Sequence, residues 1–306
     1  MSAASSTRLG MIGLGDMGRP LALRLLKAGF SLVVHDTNPD AVSTLVQAGA
    51  TSATSAYEIG CSAETVFACL PSPAVSELVA LGENGVARGN AVRRYVEMST
   101  IGQDSMAKIH AGLAAHSISL LDAPVSGGPT GERAGRLTCF VATPREVFDT
   151  AEPALRGMSD KLFHVGETPG QAQVLKLANN MLNAANLALA AEMVLMARRA
   201  GIDEAMALEV INASTGRSRA TEETLKNQML TRAFHTGARL DILCKDTMLA
   251  VEQAESLGVE HSVALAARTL WQAAQAAGYG PLDLSHIYHF IAGEKPEAAL
   301  AHVKTP

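Results

Sequence analysis

Cysteine is scarce in this 306-residue chain, limited to Cys61, Cys69, Cys139 and Cys244. They show neither CxxC spacing nor the density of a secreted disulfide scaffold, so free thiols in a reducing cytoplasm are expected and no metal site is. Clusters of lysine or arginine are also missing. With 25 basic against 30 acidic residues the net charge is −5, which disfavours nucleic acid or an anionic membrane as a partner and leaves small molecules. Long apolar runs are absent near the start, where a short polar leader is followed by LGMIGLG, too brief for a signal peptide or a membrane span. The Ala-rich stretch from about 184 to 197 carries Asn186 and Glu192 and reads as a buried helix. No internal repeat or low-complexity segment stands out. What remains, 48% hydrophobic and 18% charged residues, is the balance of a soluble enzyme with length for two modest domains.

The first half alternates short apolar runs with helical patterns: LGMIGLG, SLVVHD, ETVFACLP, RRYVEMST and ISLLDAPVSG, with RLTCFVAT and KLFHVG as further strands. That rhythm predicts an α/β fold of βαβ units on a parallel sheet buried on both faces. From Gly170 to about Arg199 neither proline nor further glycine interrupts a helical pattern. Helical segments then follow one another to about His289. The expected organisation is a Rossmann-type dinucleotide-binding domain over residues 1–168, then an all-α domain over 169–306 that begins with the long interdomain helix 170–199.

Gly13-Leu14-Gly15-Asp16-Met17-Gly18 is a GxGxxG between a predicted strand and a predicted helix. In that context the glycines allow a tight turn and close backbone approach, and the helix N-terminus offers N–H groups to a pyrophosphate. Asp36 ends the second strand, where a carboxylate accepts hydrogen bonds from both ribose hydroxyls. No arginine follows it in TNPD to receive a 2′-phosphate, so NAD is expected over NADP. Leu70-Pro71 and Thr100 close two further strands at the sheet edge where nucleotides lie; for Leu70-Pro71 a simple strand-ending turn is the competing reading.

Lys176, Asn180 and Asn183 stand one above another on the long helix, at spacings of four and three. Such a stripe is either a solvated face or a polar strip held among Leu175, Leu177, Met181 and Leu182. In the second case burial disfavours the charged ammonium, and the lysine can exchange a proton near neutral pH. That suits alcohol oxidation, with Asn180 orienting the oxygen. Ser126-Gly127-Gly128, after a strand that ends in Asp122, is either a plain turn or a nest of N–H groups for an anion such as a carboxylate. Lys245-Asp246 is not distinguished by its position from a surface pair.

Taken together, GLGDMG, LP at 70–71, MST at 98–100, DAPVSGGPTGERAG, GQAQVLKLANN and CKD resemble, in the right order and from about residue 8 to about 290, the β-hydroxyacid dehydrogenase family, the group of 3-hydroxyisobutyrate dehydrogenase and tartronate semialdehyde reductase. The resemblance implies that residues Gly13 to Gly18 hold the dinucleotide, that Leu70, Pro71 and Thr100 touch its nicotinamide half, and that Lys245 closes over the cofactor. It implies further that Ser126, Gly127 and Gly128 grip the substrate carboxylate, with Lys176 catalytic and Asn180 its helper. NADP-using relatives commonly carry Asn-Arg where His35-Asp36 stands. The segment LTCFVATP lacks the glycine pair often seen after that strand, and the loop STGRSRATEE carries two arginines, Arg217 and Arg219, one reading of which is contact with a second polar end of the substrate. The implied activity is an NAD-dependent dehydrogenase of small 3-hydroxy acids, with a tartronate semialdehyde or related aldehyde-acid reductase as the second enzyme reading and a dinucleotide-sensing module as the non-enzyme one. A homodimer or homotetramer is expected.

Overall fold

The computed structural model describes residues 8–128 and 137–301. The polar leader and the PTGERAG part of the expected anion loop lie outside the described residues. The chain divides into two compact units between Lys176 and Leu177.

Among the described residues the first unit carries nine strands: β1 (Leu9–Ile12), β2 (Leu32–His35), β3 (Thr51–Ser52), β4 (Thr65–Ala68), β5 (Arg94–Glu97), β6 (Ser119–Asp122), β7 (Val125–Ser126), β8 (Thr138–Ala142) and β9 (Lys161–Gly166). They form one sheet in the order β3-β2-β1-β4-β5-β6-β8-β7, with β9 also on β8. Alternation along the strands sorts side chains to opposite faces. Met11, Val34, Phe67, Val96 and Leu121 pack with Leu21, Leu25, Phe148 and Leu155 on one side. Ile12, Val33, Val66, Tyr95 and Leu120 pack with Ile59, Met106, Ile109 and Leu113 on the other. Burial on both faces is why these strands read as continuous apolar runs.

From β3 to β6 the strands are parallel, as expected, but β8 runs antiparallel to β6 and β7, so the sheet is mixed. Val125 and Ser126 pair with Cys139 and Thr138, so the chain returns alongside β7 instead of crossing over to a parallel position. Register then sets the functional edge. Ile12 lies opposite both His35 and Ala68, Ala68 opposite Glu97, and Glu97 opposite Asp122. The carboxyl ends of five strands are therefore flush.

The long helix, α7 in chain order (Gln171–Arg199), begins in the first unit and continues into the second. It is long and apolar enough to cross a membrane by composition, yet Ala184, Leu187, Ala191 and Val194 belong to the core of the helical unit. Trp271, fully buried in that core, donates its indole N–H to Ala184 O at 3.2 Å. Helices Glu204–Asn212, Leu240–Ser256 and Ser262–Ala274 make up much of the helical run expected to about His289. Ala220–Met229 is π-helical instead, a distinction that the apolar pattern of so short a segment does not carry, and the segment Gln275–Tyr279 is kinked at Gly278, whose φ is +92°.

Candidate functional site

The loop after β1 separates its glycines into two kinds. A Cβ at Gly13, whose φ is +86°, would fall 2.1 Å from Cys69 O, and one at Gly18 would fall 1.8 Å from Gly13 O. Those two are glycine because the protein's own backbone leaves no room. A Cβ at Gly15 would meet nothing within 4 Å, so the protein does not itself require glycine there and the backbone is open to close approach from outside. Beside it, helix Gly18–Lys27 starts without a side-chain cap and with no acid in its first turn. Its N-terminal N–H groups and dipole suit an anion. Asp16 is exposed at the tip and Met17 packs against the core.

Asp36 closes the same loop from β2, its Oδ2 accepting Leu14 N–H at 2.6 Å and its Oδ1 accepting Asn38 N–H at 2.7 Å. Each oxygen retains a second lone pair that a diol can use. The half-buried carboxylate is thus preset in orientation before any ligand arrives. These residues fit an adenine dinucleotide: a cradle whose width depends on Gly15, an uncapped helix start, and a fixed acceptor at the next strand end.

At the adjacent strand ends, Leu70 N–H donates to Ser99 Oγ at 2.7 Å, and Ser99 N–H donates to Glu97 Oε1 at 3.0 Å. The turns that carry Leu70-Pro71 and Thr100 are thereby fastened to each other. Ser126 ends β7, which runs in the same direction as β6, and the following Gly127 and Gly128 have φ of +133° and +60°. Those backbone angles turn the chain in a way that side-chain-bearing residues avoid.

Behind this edge lies a buried acid network. Asp122 Oδ2 accepts N–H groups from Gly170, Ala172 and Gln173 at 2.8, 3.0 and 3.1 Å, and Asp122 Oδ1 accepts Gln173 Nε2 at 2.8 Å. The carboxylate thus anchors the start of α7 to the sheet, favourably placed against the helix dipole. Burial raises Asp122 to about 6, and these hydrogen bonds, the Gln173 amide first, hold it from rising further. Burial likewise pushes Glu97 up to about 7, against hydrogen bonding from Ser99 that pulls it down, while the Asp122 charge adds to the rise.

The Glu97 shift has a definite sign in stability. A carboxyl whose folded value is raised from 4.5 to about 7 contributes fully below pH 4.5, and that contribution is lost as pH climbs through 7. The loss is on the order of 3 kcal/mol. Glu97→Gln keeps an acceptor for Ser99 N–H but cannot ionise. Urea melts are expected to show wild type losing stability relative to Glu97→Gln between pH 5 and pH 8; two parallel pH curves would refute the assignment.

Lys176, the last residue of the first unit, is only 9% exposed, one turn beyond the anchored start of α7. The expected surroundings need correction. Leu177 is buried, but Leu175 and Leu182 are 44% and 65% exposed, so the lysine points inward while two of the leucines expected to shelter it point out. A helix with apolar residues on nearly every side does not announce its inner face.

In the helical unit, Asn180 Nδ2 donates to Asp246 Oδ2 at 2.6 Å, and Lys245 Nζ lies 2.8 Å from Asp246 Oδ1. Asp246 is 3% exposed, so Lys245-Asp246 is not a surface pair: a buried carboxylate gathers the Asn180 amide and the Lys245 ammonium. Arg217 and Arg219 are exposed, the latter paired with Glu223 at 3.0 Å. Sequence reasoning missed Asp246, Ser99 and Gln173 as functional neighbours. A glutamine three residues before the lysine was the one available signal.

Residues 8–166 match the sequence model described as the NAD binding domain of 6-phosphogluconate dehydrogenase, and residues 170–291 match that described as NAD-binding of NADP-dependent 3-hydroxyisobutyrate dehydrogenase. The chain is 35% identical over 297 residues to 3-hydroxyisobutyrate dehydrogenase of Pseudomonas aeruginosa, spanning 94% of this chain and 99% of that one. It is 34% identical over 288 residues to the NAD-dependent L-serine dehydrogenase of the same organism, with 91% and 95% covered. Among solved structures, 3-hydroxyisobutyrate dehydrogenase of Mycobacterium tuberculosis with L-serine superposes with a TM-score of 0.85 at 27% identity, covering 93% of this chain and 99% of that one.

Proposed function

Because the chain belongs to the β-hydroxyacid dehydrogenase family, we propose that it transfers a hydride between NAD and the hydroxyl carbon of a small 3-hydroxy acid, with Lys176 as general acid–base. When bound, the nicotinamide supplies the hydride acceptor. In the oxidative direction the C–H bond of the alcohol carbon breaks as hydride leaves. Neutral Lys176 Nζ takes the hydroxyl proton, and the carbon–oxygen bond becomes the carbonyl of a semialdehyde. In reverse, the lysine ammonium returns that proton to the forming alkoxide. Asn180, tied to Asp246, orients the reacting oxygen, and the backbone at Ser126, Gly127 and Gly128 receives the carboxylate. Leu70, Pro71 and Thr100 bear on the nicotinamide half, and Lys245 closes over the cofactor. One observation carries the reading: a lysine 9% exposed stands on a helix whose first turn is fastened to the ends of β5 and β6, on the sheet edge where β1 bears the glycine cradle.

The preference for NAD follows from Asp36. Its carboxylate, fixed by Leu14 and Asn38 N–H groups, accepts from a free ribose diol and repels a 2′-phosphate. The deciding experiment is a panel of about twenty hydroxy acids and semialdehydes read as kcat/KM with each dinucleotide, the ratio that measures discrimination. NAD is expected to win for every substrate turned over, and Asp36→Ser with Thr37→Arg to move the preference toward NADP. Equal or better turnover with NADP in the wild type would overturn the cofactor assignment; no turnover of any 3-hydroxy acid would overturn the reaction.

A further inference from the structure

One buried side chain makes more hydrogen bonds than any single local task requires. Gln173, 0% exposed, accepts N–H from Ile101 at 2.9 Å and from Gly102 at 3.2 Å through Oε1, and donates from Nε2 to Ser99 O at 3.1 Å and Asp122 Oδ1 at 2.8 Å. Its amide therefore touches three backbone sites of the Ser99–Gly102 turn, which carries Thr100, and at the same time the acid that anchors α7. Ser99 extends the chain of contacts to the Leu70 turn.

From this bridge we infer that Gln173, seated on Asp122, is a positioning residue that fixes the height of Lys176 over the strand ends bearing Leu70, Pro71 and Thr100, and so sets the geometry of coupled proton and hydride transfer. The inference rests on the reaction proposed above and names a determinant of it. Gln173 and Lys176 stand three positions apart on the helix, so the amide and the ammonium share one rigid helical turn. A helix capped by Asp122 alone would be held along its axis. The amide adds the lateral constraint, because its four partners fix both its oxygen and its nitrogen, and a buried amide has nowhere else to satisfy them. Displacement of about 1 Å in such a site costs on the order of 10²-fold in rate.

The test compares wild type, Gln173→Met and Gln173→Glu. Methionine keeps the volume and removes all four hydrogen bonds. Its expected signature is kcat lowered about 10- to 100-fold with the KM for NAD within about threefold and the ascending pH limb of Lys176 retained, because orientation is lost while the proton acceptor stays. Glutamate keeps an acceptor for Ile101 and Gly102 but, when ionised, turns an oxygen toward Ser99 O and Asp122. Its activity is expected to recover as pH falls and the new carboxyl regains a proton to donate. Asp122, Glu97 and Lys176 titrate in the same region, the Cys69 and Cys139 thiols and the Tyr95 phenol being raised by burial above it, and the wild-type profile over the same range subtracts their part. This acid-side rescue is the readout a merely structural role would not give, and it keeps the idea testable if Gln173→Met does not fold. A kcat within twofold of wild type in folded Gln173→Met, or no acid-side recovery in Gln173→Glu, overturns the inference. Should wild type turn over no 3-hydroxy acid, the reaction fails by itself, and amide hydrogen exchange still judges the bridge. The amides of Ile101, Gly102 and Ala172 are then expected to lose protection together in Gln173→Glu at high pH, where repulsion from Ser99 O and Asp122 drives the carboxylate and its acceptor oxygen out of the turn, and independent behaviour counts against it.

Discussion

Lys176→Ala is expected to fold and to bind NAD normally while kcat falls by a factor on the order of 10² to 10⁴, the range for a positioned acid–base group. Binding and chemistry separate because the lysine takes no part in the glycine cradle. The wild-type oxidation rate should rise with pH as the lysine becomes neutral, and Lys176→Ala should lose that limb. Asn180→Ala should keep the limb at a lower plateau, since only orientation is removed; its amide partner Asp246 would remain to hold Lys245. Lys176→Arg should be nearly as poor as alanine, because guanidinium does not release its proton at working pH. Near wild-type turnover with an unchanged limb in Lys176→Ala would mean that another group carries the proton.

The ease of reaching this lysine from sequence contrasts with the difficulty of reaching its supports. Strands such as Leu32–His35 and Thr65–Ala68 were legible because burial on both faces makes them apolar throughout. The cradle was legible because GxGxxG sat between a strand and a helix. The burial of Lys176 was legible as one of two readings because a charge among apolar helical residues demands an explanation. Its actual neighbours were not, since the leucines expected to bury it include two that face solvent. The turn-to-helix bridge lay beyond reach for a further reason. Ser99, Asp122 and Gln173 meet only through the parallel register that sets Glu97 opposite Asp122, and no local spacing encodes that. The antiparallel course of β8 was hidden too, because an apolar run gives no direction.

The second large effect concerns the glycine whose bareness serves no neighbour. Gly15→Val should leave the thermal midpoint almost unchanged, since an added Cβ meets no protein atom within 4 Å, yet weaken NAD binding by about 100-fold or more, close to 3 kcal/mol. The new side chain would occupy the space through which the backbone approaches a pyrophosphate. Gly18→Ala is the contrasting case. Its Cβ would sit 1.8 Å from Gly13 O, a backbone atom that cannot swing aside, so destabilisation of several kcal/mol is expected whether or not ligand is present. Dinucleotide fluorescence titration beside thermal melts resolves the two. Wild-type affinity in Gly15→Val would show that the cradle does not hold the dinucleotide.

The anchoring of α7 on Asp122 also limits how modular this architecture is. The two matched segments meet around residues 167–169, which looks like a natural seam for exchanging halves between relatives. A chain severed there would strand the Asp122 carboxylate in the interior without the donors from Gly170, Ala172 and Gln173, and would leave Ile101 and Gly102 N–H groups without the Gln173 oxygen. A buried acid deprived of its partners is among the costlier defects a fold can carry. The nucleotide half therefore borrows the closing piece of its interior from across the seam, and any inherited or engineered recombination of the two halves has to carry the helix with the sheet as far as Lys176.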